Sequence, residues 1–257
     1  MNVILQGTLA SLAAGAMTAV GALPVLFGKK ISTRTQDSLL GFAAGVMLAA
    51  SFFSLIIPAI DVAEILYGGV YAAAGIAVVG FVAGAATIAL ADEWIPHRHF
   101  VQGKQGPWTG GSRKVWLFVA AITIHNFPEG VAVGVGFAGG DSASASALAI
   151  GIGLQNAPEG LAVAVALIAE GYPKGRAFLV AAATAIVEPI GGFLGVGAVS
   201  LFYPLLPWAL TFAAGAMIYV ISHEIIPETH TRGNQKQATT GLTLGLALMM
   251  FLDVALG

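Results

Sequence analysis

Residues 142 to 169 read SASASALAIGIGLQNAPEGLAVAVALIA, a run whose only ionisable side chain is Glu159. The hydrocarbon core of a bilayer is about 30 Å thick, and about 20 predominantly apolar residues in a helix cross it. This run meets that length and carries its one carboxylate close to its midpoint. Seven more apolar runs of spanning length flank it, at 3 to 28, 36 to 60, 68 to 91, 115 to 138, 176 to 201, 206 to 227 and 238 to 256. The pattern predicts an all-α integral membrane protein of eight transmembrane helices, a single transmembrane domain over residues 1–257. The one long connection, residues 92 to 114, contains Pro96, His97, Arg98, His99, Gln102 and the glycine-rich GPWTGG, and reads as a flexible loop.

Composition supports the same class. Hydrophobic residues make up 57% of the chain and charged residues 9%, against roughly 25% charged in an ordinary soluble domain. The 34 glycines are about twice the usual share, and membrane helices use glycine to bring backbones together. Small-xxx-small spacings at Gly41 and Gly45, Gly80 and Gly84, Gly130 and Gly134, and Gly191 and Gly195 fit such crossings. There is no cysteine, so a metal can be held only by nitrogen and oxygen. A net charge of -2 with no basic stripe argues against nucleic acid as a partner.

Orientation follows from the basic residues, because cytoplasmic loops accumulate Lys and Arg. All eleven fall in alternate connections: Lys29, Lys30 and Arg34; Arg98, Lys104, Arg113 and Lys114; Lys174 and Arg176; Arg232 and Lys236. Both termini are therefore expected outside, in the periplasm of a bacterial inner membrane. The first apolar run has its basic residues after it rather than before it, so it reads as a retained helix and not a signal peptide.

The chemistry lies in two related stretches. The fourth segment contains His125, Asn126, Phe127, Pro128, Glu129 and Gly130, and thirty residues on the fifth contains Gln155, Asn156, Ala157, Pro158, Glu159 and Gly160. Residues three and four apart share a helix face, so His125 and Asn126 lie with Glu129, and Gln155 and Asn156 with Glu159. Antiparallel neighbours joined by a short loop bring both sets to one depth. Pro128 and Pro158 remove a helical hydrogen bond each, freeing the carbonyls of Ile124 and Leu154, and predict kinks in both helices. Discontinuous helices at mid-depth are a common feature of transporter binding sites.

Glu188, followed by Pro189, adds a third carboxylate near the middle of the sixth segment. A charged side chain at the bilayer centre costs at least about 2.5–3.5 kcal/mol. No Lys or Arg lies inside an apolar segment to pair with Glu129, Glu159 and Glu188. Protonation, a water-filled cavity or a bound cation remain, and the adjacent imidazole and amides favour the cation. Imidazole, carboxylate and amide donors without thiolate suit zinc, cadmium, manganese or iron(II).

Other polar residues line up with a path. Asp61 closes the second segment and Asp253 the eighth, at the outer surface, as a metal entrance or as ordinary solvated helix ends. His223 and Glu224, with Asp92, Glu93, His97 and His99 in the facing loop, form a candidate exit. Met47, Ser51 and Ser54 either flank the pathway or serve helix packing.

HNFPEG at 125 to 130 and QNAPEG at 155 to 160, on the fourth and fifth of eight helices, resemble the signature of the ZIP (Zrt/Irt-like) metal transporters, and the likeness extends over essentially the whole chain. The resemblance implies import of zinc and related divalent metals, cadmium among them, into the cytoplasm through a binuclear site. One ion would take His125, Glu129, Gln155 and Glu159; a second would take Asn126, Asn156 and Glu188, with Glu129 and Glu159 bridging. It further implies an elevator-like movement of helices 1, 4, 5 and 6 against 2, 3, 7 and 8, and a homodimer. Gln155 stands where many relatives carry His, and Asn156 where some bacterial members carry Asp, which lowers the charge offered to a second ion.

Two rival readings belong to other classes. An intramembrane metallohydrolase would also use His and Glu on one helical face, but His223, Glu224, Ile225, Ile226, Pro227 has proline where H-E-x-x-H needs its second ligand. A proton-coupled carrier of an organic solute would use Glu129 and Glu159 as relays without metal. The residues favour a carrier of metal over an enzyme.

Overall fold

The computed structural model describes residues 2–28, 31–94 and 111–256. These fold into eight helical runs: α1 Val3–Phe27, α2 Thr33–Tyr67, α3 Val70–Trp94, α4 Gly111–Ala138, α5 Ser142–Ala169, α6 Lys174–Leu201, α7 Tyr203–Thr229 and α8 Gln235–Leu256. Among the described residues seven helices, all but α4, are long and apolar enough to cross a membrane. At 28 residues α4 has the length to span as well. Large apolar side chains cover the outside, with Tyr71, Leu201, Ile65 and Val254 almost fully exposed. A surface of that kind belongs in lipid, and the chain is a multi-pass membrane protein.

Local sequence sets the helix ends. The Asn2 side chain accepts from the amide of Ile4 and that of Ser32 from Thr35, starting α1 and α2. Between α4 and α5, Gly140 takes a left-handed φ of 92°, and the Asp141 carboxylate caps α5 by accepting from the amides of Ala143 and Ser144. The Ser144 hydroxyl, with these amides, holds the Asp141 carboxyl below its usual range. This tight turn makes α4 and α5 antiparallel neighbours, as their motifs require.

Close crossings pair the helices as α1 with α5, α4 with α6, α2 with α8 and α3 with α7. Each of the four glycine pairs expected at crossings lies at one. A Cβ at Gly41 or Gly45 would overlap the carbonyl of Ala238 or Leu242, and one at Gly130 or Gly134 that of Glu188 or Gly192. Gly191 and Gly195 meet the α4 backbone at Phe127 and Val131, and Gly80 and Gly84 meet Thr211 and Phe212 of α7. Backbones this close gain dispersion contacts that longer side chains would prevent.

The helix interiors depart from expectation in three places. α2 does not end at 60 but runs to Tyr67, so Asp61 does not close it; Asp61 lies exposed along the helix. Within α2, Ala50–Ile56 is π-helical just before Pro58, and within α7, Ile221–Ile225 is π-helical just before Pro227. A proline that cannot complete the ladder favours such a widened turn, and these turns carry Ser51, Ser54, His223 and Glu224. The sixth segment is not one helix: α6 is helical over Lys174–Thr184 and Val187–Leu201 and breaks between, so Glu188 lies in the first turn of the second piece. Pro128 and Pro158, by contrast, sit inside continuous helices.

Candidate metal centre

Three helices deliver seven polar side chains to one buried region. His125, Asn126 and Glu129 face inward from α4, Gln155, Asn156 and Glu159 from α5, and Glu188 from α6, all seven at 3% exposure or less. Their spacing on α4 and α5 puts each set on one face, the turn at Gly140 and Asp141 sets those helices side by side, and the crossing at Gly130 brings Glu188 of α6 against α4.

The donors are stitched to one another across helices. Gln155 Nε2 donates to Glu129 Oε1 at 2.9 Å, tying α5 to α4. Asn156 Nδ2 reaches both carboxylate oxygens of Glu188 at 3.0 Å and the carbonyl of Ala14 at 3.1 Å, tying α5 to α6 and α1. Ser11 of α1 donates to the backbone carbonyl of Glu188 at 2.7 Å. Glu159 lies within electrostatic reach of Glu129, Glu188 and His125. The break in α6 contributes too, because a carboxylate in the first turn of a helix is favoured by the helix dipole.

Five of the buried oxygens have no hydrogen-bond donor among the described residues: Asn126 Oδ1, Glu129 Oε2, Gln155 Oε1, Asn156 Oδ1 and Glu159 Oε1. Asn126 Nδ2 is also unmatched, so turning that amide over repairs nothing. Each such group left unmatched costs about 1–3 kcal/mol, so the cluster calls for protons, water or a cation. An electropositive ligand serves oxygens that lack donors.

Glu224 is placed differently from expectation. The sequence places it at a cytoplasmic exit, yet its Oε1 lies 2.9 Å from His125 Nε2, both side chains being buried, so α7 reaches the same region. The widened turn at Ile221–Ile225 re-aims this side chain, and sequence spacing within one helix carries no signal for a contact between α4 and α7. His223 stacks on the Tyr219 ring, with centroids 5.1 Å apart. Among the described residues no three His, Asp or Glu side chains form a ready metal-binding group.

The remaining candidates divide. Met47 and Ser51 are buried, and the Ser51 hydroxyl donates to its own helix at the carbonyl of Met47. Ser54 donates to Asp253 Oδ1 at 2.6 Å, so the two residues bridge α2 and α8. Asp92 and Glu93 lie in the last turn of α3, and their side chains lie outside the described residues, as do His97 and His99.

With this geometry in place, likeness to known proteins decides the family. Residues 96–253 match the family described as ZIP Zinc transporter. The chain belongs to the ZIP family. It is 51% identical over 242 residues to the zinc transporter ZIPB of Bordetella bronchiseptica, covering 94% of this chain and 78% of that protein. It is 45% identical to the zinc transporter GufA of Myxococcus xanthus, covering 98% of this chain and 99% of that one. The human zinc transporter ZIP11 is 37% identical, with 99% and 98% covered. ZIP proteins are metal transporters and not enzymes, which removes the metallohydrolase reading.

Proposed function

We propose that this ZIP chain imports zinc, with cadmium, iron(II) and manganese as related cargo, across a bacterial inner membrane into the cytoplasm. In this reading all eight helices span, residues 1–257 form one transporter domain, both termini lie outside, and α4 and α5 bend at their prolines. One ion binds His125, Glu129, Gln155 and Glu159, and a second binds Asn126, Asn156 and Glu188 with Glu129 and Glu159 bridging. The observation that carries the reading is the set of buried oxygens without donors, on two carboxylates and three amides beside a third buried carboxylate, Glu188, with no Lys or Arg among them. Asp61 and Asp253 collect the ion outside, Met47, Ser51 and Ser54 flank its path, and Glu224 takes it from His125 toward His223, Asp92, Glu93, His97 and His99.

An elevator-like cycle between two rigid bodies, in a homodimer, fits where the glycines cross. Among the described residues, every glycine whose Cβ would overlap another helix's backbone joins helices of one group. Gly21, Gly130, Gly134, Gly160, Gly191 and Gly195 act within α1, α4, α5 and α6, while Gly41, Gly45, Gly84, Gly215, Gly241 and Gly245 act within α2, α3, α7 and α8. Interlocked backbones do not slide, whereas surfaces that meet through side chains can. Gly151 of α5, packed on the Met249 and Val46 side chains of α8 and α2, is a contact of the second kind.

The test is zinc flux into proteoliposomes loaded with a zinc-sensitive dye. Glu129→Ala and Glu159→Ala, each recovered as a monodisperse protein, are expected to reduce flux to that of empty liposomes. Undiminished flux rejects the site. An anomalous scattering peak at the zinc edge between α4 and α5 separates metal transport from a proton-coupled solute carrier, which would have none.

A further inference from the structure

Away from the metal centre, α2 and α8 cross so closely that a groove of about 500 Å³ opens where both helices begin. Its floor is made by the crossing itself: a Cβ at Gly241 would overlap the carbonyl of Ser38, and one at Gly41 that of Ala238. Phe42 and Leu244 line the end farther along the helices, while Arg34 and Lys236, followed by Ser38 and Thr240, line the end where the helices begin. The groove is thus graded from apolar to basic along the helix axes.

We propose that this groove seats an anionic phospholipid, with its phosphate between Arg34 and Lys236 and the start of an acyl chain along Phe42 and Leu244. Three observations lead there. Arg34 and Lys236 are exposed, and neither forms an ion pair among the described residues. Each sits in the first turn of its helix, where the dipole already favours a negative charge, and neither first turn contains an acid. Asp37, next to Ser38, does not compete, because it is fully buried and accepts from Arg232 and Asn234 on the inner side of α2. Two cations and two helix starts with no internal counterion complement a phosphate, and the apolar floor beneath them complements a lipid tail. The leaflet rests on the orientation proposed above, which makes it the cytoplasmic one; the groove itself does not depend on metal transport.

Native mass spectrometry of the full-length protein with phosphatidylglycerol or phosphatidylcholine, without zinc, tests this directly. At a little over about fivefold per basic contact, the two together are expected to make phosphatidylglycerol bind about 30-fold more tightly. Arg34→Gln/Lys236→Gln is expected to bring the two lipids within about twofold of each other, while the charge-matched Lys174→Gln/Arg176→Gln keeps the preference. Equal binding of both lipids by the unmodified protein overturns the proposal, as does equal loss of preference in the two double variants. Full displacement of the lipid by glycerol phosphate would reassign the groove to a free anion. The chain has no cysteine, so a disulfide formed by Leu244→Cys between two copies would reassign it to a protein interface.

Discussion

Asn156 Nδ2 lies 3.0 Å from each carboxylate oxygen of Glu188, so a neutral amide donates where the proposed second ion would bind. The same nitrogen reaches the carbonyl of Ala14, and three helices meet on one side chain. Replacing it by a carboxylate removes the donor and places a second negative charge against Glu188. Asn156→Asp is therefore expected to cost the metal-free protein about 1–3 kcal/mol of stability and to raise the zinc equivalents bound at saturation. Thermal melts with and without zinc, with metal analysis of the saturated protein, read both effects. Unchanged stoichiometry with an unchanged metal-free melt would remove Asn156 from the site.

His125 Nε2 and Glu224 Oε1 join α4 to α7 at 2.9 Å. A carboxylate on a ligating imidazole fixes its orientation and tautomer, and loss of such a partner typically costs 10- to 100-fold in metal affinity. Glu224→Ala is expected to weaken zinc binding by about that factor, and Glu224→Gln, which retains a hydrogen-bonding oxygen, by less. Isothermal titration of the purified variants decides it; equal affinity in all three proteins would return Glu224 to a role in the exit alone.

Much of this was legible in the chain, and the part that was not has a common cause. The apolar run at 142 to 169 coincides with α5 because Asp141 caps its start and Glu170 follows its end. The convergence of α4 and α5 followed from residue spacing plus a short turn. The apolar run of α2 stops at Asp61 while the helix does not, because an acid on one exposed face does not end a helix. The break before Glu188 and the widened turns before Pro58 and Pro227 are not legible from proline alone, because Pro128 and Pro158 sit inside helices that continue. Glu224 reached the metal centre only through tertiary packing, which periodicity within a helix does not encode.

The glycine crossings separate packing from propensity. A methyl group at Gly130 would overlap the Glu188 carbonyl, whereas one at Gly197, also on α6's side of the bundle, meets nothing within 4 Å. Gly130→Ala is expected to push α4 from α6, destabilise the protein by about 1–3 kcal/mol and lower zinc flux, because Glu188 moves with its backbone. Gly197→Ala should melt at or slightly above the parent temperature, since alanine is the better helix former. If both variants melted alike, the close crossing of α4 and α6 would be wrong.

Gly151 and Met249 test whether the two helix groups move past one another. Gly151 belongs to α5 and Met249, fully buried, to α8, and a Cβ at Gly151 would meet the Met249 sulfur, the far part of a flexible side chain, not backbone. A static bundle would absorb Gly151→Val by turning that thioether, and its zinc flux would change only as much as its stability does. Two bodies that slide must carry the added bulk past Met249 and Val46 in every cycle, so the variant is expected to fold and bind zinc normally while its maximal flux falls severalfold. Met249→Ala makes room on the opposite wall, and the pair Gly151→Val/Met249→Ala should recover most of the flux even though Met249→Ala alone leaves a cavity costing about 2–5 kcal/mol. Recovery of rate against a loss of stability cannot come from packing alone, and its absence would leave the glycine crossings as structure without motion.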